Sequence, residues 1–465
     1  MDFKKIFALI PEVKKPSEKK VSFNIKLKWT LIVLGAFFIL ANISLFGLAS
    51  AALERFEYLA IILGTDFGSI ISLGIGPIVM ASIILQLLTG AGIIRIDLNS
   101  SEGKKFFQGL QKLLVFFFII FESLVYVLMN GLEALPGYTG LVIFQLILGG
   151  LAIYYMNEVS EKWGFGSGVS LFIGAGVSWR LIASAFQFIN TQGKSCLMDF
   201  AGTPCSGKVL VLIQSIISNQ KNPTEFLAAL AAIAATVIIF LVVVWAQSLK
   251  VEIPLSYGKI RGYGMKWPLS FFYSSVIPVI FAAALVANVQ LFGGMLENWL
   301  GHATFLGHFV NGQAVSGLAF WLGSTHILDL TIRGGFLPIY LLQGVTHILF
   351  FMALCTLFSV FWVKTSGMDS KAQAEKISSS GLQIAGFRQD NRILESILDR
   401  YIMPLTVMGG AAIGLLAALT DLLGALVSGT AILLVIMIMY QFYQSIAQQH
   451  FEDMNPTLRK FMGKM

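Results

Sequence analysis

ISLGIGPIVMASIILQLLTG, Ile71 to Gly90, is apolar enough for a membrane helix, yet Gly74, Gly76 and Pro77 crowd its start, and a second apolar stretch, Tyr58 to Gly64, lies just ahead of it. The 34 residues from Glu57 to Gly90 exceed the about 20 that one helix needs to cross a ~30 Å hydrocarbon core. They are too few for two crossings and a turn. The stretch reads as one span preceded by half of another, and the rest of the chain has to explain the half.

Composition sets the frame. Of 465 residues, 56% are apolar and 12% charged, with a mean hydropathy of +0.78. A soluble domain carries about 25% charged residues, so the chain is a polytopic membrane protein. The N-terminus carries Lys4, Lys5, Lys14, Lys15, Lys19 and Lys20 with no small-residue cleavage site before the first apolar run, so the first span is expected to stay. Residues Met1 to Ile10 read either as a short surface-lying helix or as a solvated tail.

Ten apolar runs follow: Trp29 to Leu48, Leu73 to Leu88, Phe107 to Leu128, Leu141 to Met156, Val169 to Phe188, Phe226 to Trp245, Phe272 to Leu291, Leu337 to Val360, Leu405 to Leu419 and Leu426 to Tyr440. They are helices, because a spanning β-barrel would show short alternating segments. Ten spans put both ends on one side, and 26 of the 32 Lys and Arg then fall on that side. The positive-inside rule makes it the cytoplasm of a multi-pass protein of the cell membrane. Were Tyr58 to Gly64 an eleventh span, every later loop would change sides and the bias would collapse. The segment must dip in from outside and return.

Backbone at membrane depth that does not cross is tolerated only where protein or a water-filled cavity satisfies it. Arg180, 11 residues past Val169, stands about 16 Å along a helix, where it either snorkels or faces an outward wet funnel. Glu122, deep in the third span, is either hydrogen-bonded packing or a polar contact between helices. Cys355 lies in an apolar run and reads as packing, whereas Cys196 and Cys205 share a polar loop and would pair if that loop faces an oxidising exterior.

The resulting fold is all-α: ten transmembrane helices in two halves of five, with a re-entrant half-helix. Its parts are a cytoplasmic tail (1–28), spans one to five (29–189, re-entrant segment about 56–68), an external connector (190–224), spans six to ten (225–445) and a second cytoplasmic tail (446–465). Five is odd, so the second half enters the membrane from the opposite side, as in inverted-repeat proteins.

Sequence motifs then narrow the reading. Leu73-Gly74-Ile75-Gly76-Pro77-Ile78-Val79, running on through Met80 to Leu88, strongly resembles the second-span motif of the SecY family, the channel subunit of the protein-conducting translocon. Gly166-Ser167-Gly168-Val169, Val251-Glu252-Ile253-Pro254-Leu255, Ile277-Pro278-Val279-Ile280, Gly386-Phe387-Arg388 and Pro404-Leu405-Thr406-Val407 match further family motifs in order, with an archaeal flavour.

The resemblance implies an hourglass channel that passes secretory polypeptides and releases membrane segments sideways. Carried onto matching positions, it makes Ile75, Val79, Val169, Ile173, Ile280 and Leu434 a constriction. Ile75 with Val79, and Val169 with Ile173, are spaced four apart and share a helix face, a pattern that more often means packing. Tyr58, Ile61, Ile62, Leu63, Gly64, Phe67 and Gly68 would be a plug, with Gly74, Gly76 and Pro77 turning the chain from plug into span. That accounts for the extra half-span.

Gln86, Glu122 and Asn288 match lateral-gate positions, between spans two and three on one side and seven and eight on the other. Glu122 and Asn288 would hydrogen-bond across the gate when shut. Met80 stands where relatives often carry a small hydroxyl residue, which implies a thinner polar cluster. The basic loops Lys250 to Phe271 and Lys364 to Tyr401 would dock a ribosome through Lys259, Arg261 and Arg388, although positive-inside bias also explains them. The family's other partners are SecE-like and β single-span subunits, signal sequences, nascent chains and lipid. No cofactor, metal or enzymatic role is implied.

The rival reading is an inverted-repeat secondary transporter of a small solute. Such proteins need intramembrane ionisable groups, and the spans offer little beyond Glu122, Arg180 and His347. An intramembrane enzyme fits worse, since His302, His308 and His326 have no companion carboxylate or thiol at metal-ligand spacing and read as surface or interfacial residues.

Overall fold

The computed structural model of the chain describes residues 11–17, 21–49, 68–94, 96, 100–129, 131–188, 195–196, 205–217, 223–257, 264–310, 313–379, 382–384 and 390–454. Among them, nine helices are long and apolar enough to cross a membrane: α1 (Phe23–Ala41), α3 (Ser101–Leu128), α4 (Thr139–Trp163), α5 (Gly168–Phe186), α7 (Pro223–Gln247), α8 (Ile277–Leu300), α11 (Ile339–Thr365), α13 (Asn391–Leu422) and α14 (Gly429–Met454). The second expected span is the shorter α2 (Gly76–Gly90). The shorter helices α6 (Lys208–Ile217), α9 (Leu318–Leu322), α10 (Ile327–Ile332) and α12 (Ser370–Ser379) lie in the loops.

Helix ends differ from the apolar runs for local reasons. The α2 helix starts at Gly76, three residues later than hydropathy places the span, because Ile71 to Ile75 form buried turns and Pro77 sits in the first helical turn. Conversely, α13 begins at Asn391 rather than Leu405, its end capped by Asp390, whose carboxylate accepts from the Arg392 N–H at 2.9 Å. Pro404 is accommodated inside it. Hydropathy sees only what lies in lipid, and α13 extends well beyond it.

The strands were not expected. β1 (Lys250–Tyr257) pairs antiparallel with β2 (Gly264–Ser270) in the register Lys250↔Ser270, and with β5 (Leu382–Ile384) on its other edge. Beneath this sheet, Ile253, Leu269, Leu394, Leu398 and Ile402 form a hydrophobic cluster separate from the main one. The two basic loops thus share one small folded lobe with the extended end of α13. A second hairpin, β3 (His308–Val310) with β4 (Gln313–Ser316), lies before α11. Glu297 at the end of α8 holds it, accepting from the Phe309 N–H at 2.7 Å and meeting His308 Nδ1 at 2.5 Å. His302 and His308 are exposed, and half-buried His326 places Nδ1 3.0 Å from the Asp421 carbonyl.

Small residues set how closely the spans approach. A Cβ on Gly414 would lie 2.8 Å from the α11 backbone at Met352, and one on Gly410 would lie 3.0 Å from that at Thr356. Among the described elements the α11–α13 pair is the most extensive helix–helix contact. Fully 72% of the apolar window of α8 is enclosed, against 11% for α1, so α8 is central and α1 peripheral. Cys196 and Cys205 are bridged, with their Cα atoms 5.3 Å apart, and Cys355 is free and buried in the core.

Candidate channel constriction and lateral seam

The entry into α2 is the element that the opening stretch put in question. Gly68 and Gly74 hold φ angles of +89° and +53°, left-handed values open to glycine at little cost. Gly68 O accepts from the Leu45 N–H at 2.7 Å, and the Ile70 N–H donates to the Ile43 carbonyl at 2.9 Å. Ser72 Oγ accepts from the Gly68 N–H and donates to the Ser69 carbonyl. Ile71, Leu73 and Ile75 are almost wholly buried. This non-helical backbone is satisfied by the loop after α1 and by its own hydroxyl, as membrane depth requires. A Cβ on Gly149 of α4 would fall 1.8 Å from the Ile70 carbonyl oxygen, so the chain passes there only because the position is glycine. Of the expected plug residues, Gly68 is in this segment, while Tyr58, Ile61, Ile62, Leu63, Gly64 and Phe67 lie outside the described residues.

Four helices deliver the six constriction side chains. Ile75 immediately precedes α2, and Val79 follows one turn later, its N–H donating to the Ile75 carbonyl at 3.0 Å. Val169 and Ile173 occupy the first turns of α5. That helix end is fixed by Asn157 of α4, whose Oδ1 accepts from the Val169 N–H at 3.0 Å. Ile280 lies in the first turn of α8, after a turn in which Ser275 takes a φ of +63°, an uncommon conformation for a side-chain-bearing residue. Leu434 is on α14. Ile75, Val79, Ile173, Ile280 and Leu434 are between 1% and 5% exposed and belong to one apolar cluster, against which half-buried Val169 packs. All six thus lie in or against the main apolar core, which both halves of the chain share.

The expected gate residues have a different character. Helix α2 touches both α8 and α11, so the seam between the halves is shut here. A Cβ on Gly90 at the end of α2 would lie 2.5 Å from the Phe361 ring of α11, and that missing side chain lets the ring close the seam. Gln86, Glu122 and Asn288 are all buried. The expected Glu122–Asn288 bond is not made: the Asn288 amide donates to the Ala284 carbonyl of its own helix at 2.8 Å. Both Glu122 carboxylate oxygens, Asn288 Oδ1 and Gln86 Oε1 have no hydrogen-bond partner among the described residues. Glu122 instead lies against Gly76, where a Cβ would be 3.0 Å from Oε2. Two residues after Met80, Ser82 Oγ accepts from Gln111 of α3 at 2.8 Å.

Two polar clusters escaped the sequence reading. Asp421, at the end of α13, accepts from the Thr430 N–H at 2.7 Å and from the Thr430 hydroxyl. Its Oδ2 is 3.7 Å from Nε2 of buried His347, and with Ser428 and Gln290 the group lines a cavity of about 20 Å³. Its placement in the short polar linker before the tenth span was the available signal. The other cluster joins the N-terminal segment to the first half. Glu12 meets Lys162 at 2.6 Å and Lys112 at 3.1 Å, Lys112 meets Glu158 at 3.0 Å, and the Val13 N–H donates to Glu158 Oε2 at 2.9 Å. Its hydrogen bond to Lys162, helped by Lys112, holds the Glu12 carboxyl down at about 2. Lys259, Arg261 and Arg388 lie outside the described residues. Among the described residues no group of three or more His, Cys, Asp or Glu is placed to hold a metal ion.

The sequence profile of the SecY family matches residues 69–443 of the chain. The chain belongs to the SecY family. It is 42% identical to the protein translocase subunit SecY of Methanothermobacter thermautotrophicus, over 99% of this chain and 98% of that protein. It is 38% identical to the same subunit of Methanocaldococcus jannaschii, over 99% of both chains. Among solved structures, one described as that of a protein-conducting channel superposes with a TM-score of 0.84 at 36% identity, covering 98% of this chain and 99% of that one. Another, Sec61 in a canine ribosome-channel complex from the endoplasmic reticulum, superposes at 0.81, also at 36% identity over 98% and 99% of the two chains. With the family comes its architecture: ten helices, a channel fold and a multi-pass membrane protein.

Proposed function

We propose that this chain is the pore-forming subunit of a protein translocase, and that Ile75, Val79, Val169, Ile173, Ile280 and Leu434 are its seal. The reading is supported by the match of these positions to the motifs of the family to which the chain belongs and by their place, on four helices of both halves, in or against the main apolar core. A collar of branched aliphatic side chains stays dry and so stops ions. It offers no hydrogen bond or charge to an extended polypeptide, so it can part around a threaded chain without holding it. The residues from about 56 to 68 serve as the plug, and the chain enters α2 through the satisfied turn at Gly68–Ile75.

The lateral exit lies at the α2/α3 and α8/α11 seam. The buried oxygens of Gln86, Glu122 and Asn288 that reach no partner among the described residues make the shut state less favourable than an apolar seam would be, so little work is needed to part it. Water, or the polar backbone of an entering signal sequence, supplies the missing partners. Both termini are cytoplasmic by charge bias, and Lys259 and Arg261, between β1 and β2 in sequence, and Arg388, between β5 and α13, are the contacts to a ribosome, as the Sec61 relative is found in a ribosome-channel complex. SecE-like and β subunits complete the heterotrimer. No catalytic step is required of this chain, and the transporter alternative loses its footing because its relatives are translocase subunits.

The direct test is a stalled nascent chain in the full complex, with single cysteines at positions 75, 79, 173 or 280. Crosslinks from the translocating chain to these positions, and none to lipid-facing controls such as position 238, are expected. A translocating chain that never contacts any of the four overturns the assignment of the seal.

A further inference from the structure

The polar cluster at the turn from α13 into α14 encloses more hydrogen-bonding atoms than it satisfies. His347 of α11 and Ser428 of the linker are only 2% and 7% exposed, yet His347 Nε2 and Ser428 Oγ reach no partner among the described residues. The linker is pressed onto the end of α13, since a Cβ on Gly429 would lie 2.0 Å from the Thr420 carbonyl carbon. That contact sets the Thr430 N–H and hydroxyl on the Asp421 carboxylate and brings Ser428 to the wall of the cavity that His347 and Asp421 also line. Enclosed polar atoms of this kind are costly unless something pairs with them.

The hydrogens follow from the geometry. His347 Nδ1 lies 2.7 Å from the Leu322 carbonyl oxygen at the end of α9, and a carbonyl only accepts, so Nδ1 carries the ring hydrogen. In the neutral ring Nε2 is then an acceptor. It stands 3.7 Å from Asp421 Oδ2, another acceptor, which keeps a lone pair beyond the one that the Thr430 hydroxyl engages. That separation is too long for a direct hydrogen bond, yet a single oxygen can sit about 2.8 Å from both atoms. The Ser428 hydroxyl adds a donor. Two acceptors and a donor around one small space are the complement of a water molecule, which has two hydrogens to give and lone pairs to receive. The cavity, about 20 Å³, has room for one, which needs roughly 10–15 Å³. A hard cation suits the site less well, because it takes a shell of oxygens, whereas here the Asp421 oxygens are engaged by Thr430 and one of the waiting groups is a nitrogen.

We infer that this cavity is a binding site for one water molecule, which donates to His347 Nε2 and Asp421 Oδ2 and accepts from the Ser428 hydroxyl. The water completes a chain of hydrogen bonds from Leu322 through His347 of α11 and Asp421 of α13 to Thr430 of α14. Three spans are thus tied at one point, whatever passes the constriction.

The test reads the His347 ring by nuclear magnetic resonance, with the full-length chain isotopically labelled at its five histidines and assembled in its native complex in membranes. His347→Gln identifies the resonances by their loss. One protonated and one unprotonated ring nitrogen are expected, with magnetisation from water protons reaching the unprotonated one. Ser428→Ala removes the donor and should cut that transfer about fivefold, while unchanged resonances of the other histidines certify the fold. Two protonated ring nitrogens would overturn the inference, since Nε2 would then face the carboxylate as a donor. An unprotonated Nε2 that receives nothing from water would do the same, as would full transfer in a folded Ser428→Ala complex, or a transfer that changes when sodium and potassium are replaced by a bulky organic cation. Should Ser428→Ala fail to assemble, the unsubstituted complex decides by its protonation pattern, its water transfer and its indifference to the cation.

Discussion

The proposed constriction and the proposed lateral seam are adjacent, equally buried and oppositely made. Ile75, Val79, Ile173, Ile280 and Leu434 contribute nothing but hydrocarbon to the core. Glu122 beside Gly76, and Gln86 and Asn288 about two turns beyond Val79 and Ile280, are as enclosed, yet carry oxygens that reach no partner among the described residues. An apolar barrier resists water because nothing in it rewards a hydrogen bond. A seam with unpaired polar groups is stable only while packing outweighs their cost, about 1–3 kcal/mol for each buried unsatisfied group. The difference suits two duties, a leak-proof stop across the membrane and a hinge line along it that parts on demand.

The comparison breaks most visibly at the ring. Replacing Val79 and Ile280 together with serine should wet the collar and raise the resting ion conductance of reconstituted channels by about tenfold or more; unchanged leak would show that the seal lies elsewhere. At the seam the sign reverses. Glu122→Leu should favour the shut state by about 1–2 kcal/mol, near tenfold in the shut-to-open ratio, read as a lower open probability in the presence of a signal peptide. Asn288→Leu should act the same way but less, because the Asn288 amide already has the Ala284 carbonyl. If either leucine variant opened more readily, the unpaired groups would not be what loosens the seam.

A smaller effect is expected where the N-terminal segment is clasped to α3 and α4. The Glu12 carboxyl is held at about 2, below its ordinary 4.5, by Lys162 and Lys112. A depressed carboxyl contributes fully above pH 4.5, and the contribution disappears as pH falls towards 2. Hydrogen exchange at the Val13 amide, corrected for its intrinsic pH dependence, should therefore stay slow through pH 5 and quicken between 4.5 and 2. Lys162→Met should move that transition upward. The smallest effect belongs to the exposed Lys266–Glu252 pair on the sheet, 2.6 Å apart. Lys266→Ala should leave the melting temperature unchanged, as solvated pairs on a surface usually do.

How much of this was legible in the sequence depends on the range of the interaction. Span number, the half-span before Gly76 and the four-residue spacing of Ile75 with Val79 are local patterns of hydropathy and glycine placement, and they could be read directly. The assignment of residues on α2, α5, α8 and α14 to one proposed ring was legible only through family motifs, since no periodicity within Leu434's helix points at Ile75. Contacts between distant residues were invisible. Glu12, Lys112, Glu158 and Lys162 lie up to 150 positions apart, and each alone looks like a solvated charge beside a span. The Glu122–Asn288 bond failed as an expectation because residue identity fixes hydrogen-bonding capacity, not partner, and a helical carbonyl four residues back was nearer. The β1–β2–β5 lobe was hidden for another reason: in a chain dominated by apolar runs, its polar strands read as ordinary loop.

Gly149 gives the half-span its meaning. With the Ile70 carbonyl where a methyl group would have to sit, the fourth span serves as a track along which the descending chain is laid. Even the smallest side chain there would derail it. Alanine at 149 should thus misplace Ile75 and the collar from a helix that contributes nothing to the collar itself, a lesion of alignment far from the parts it disables.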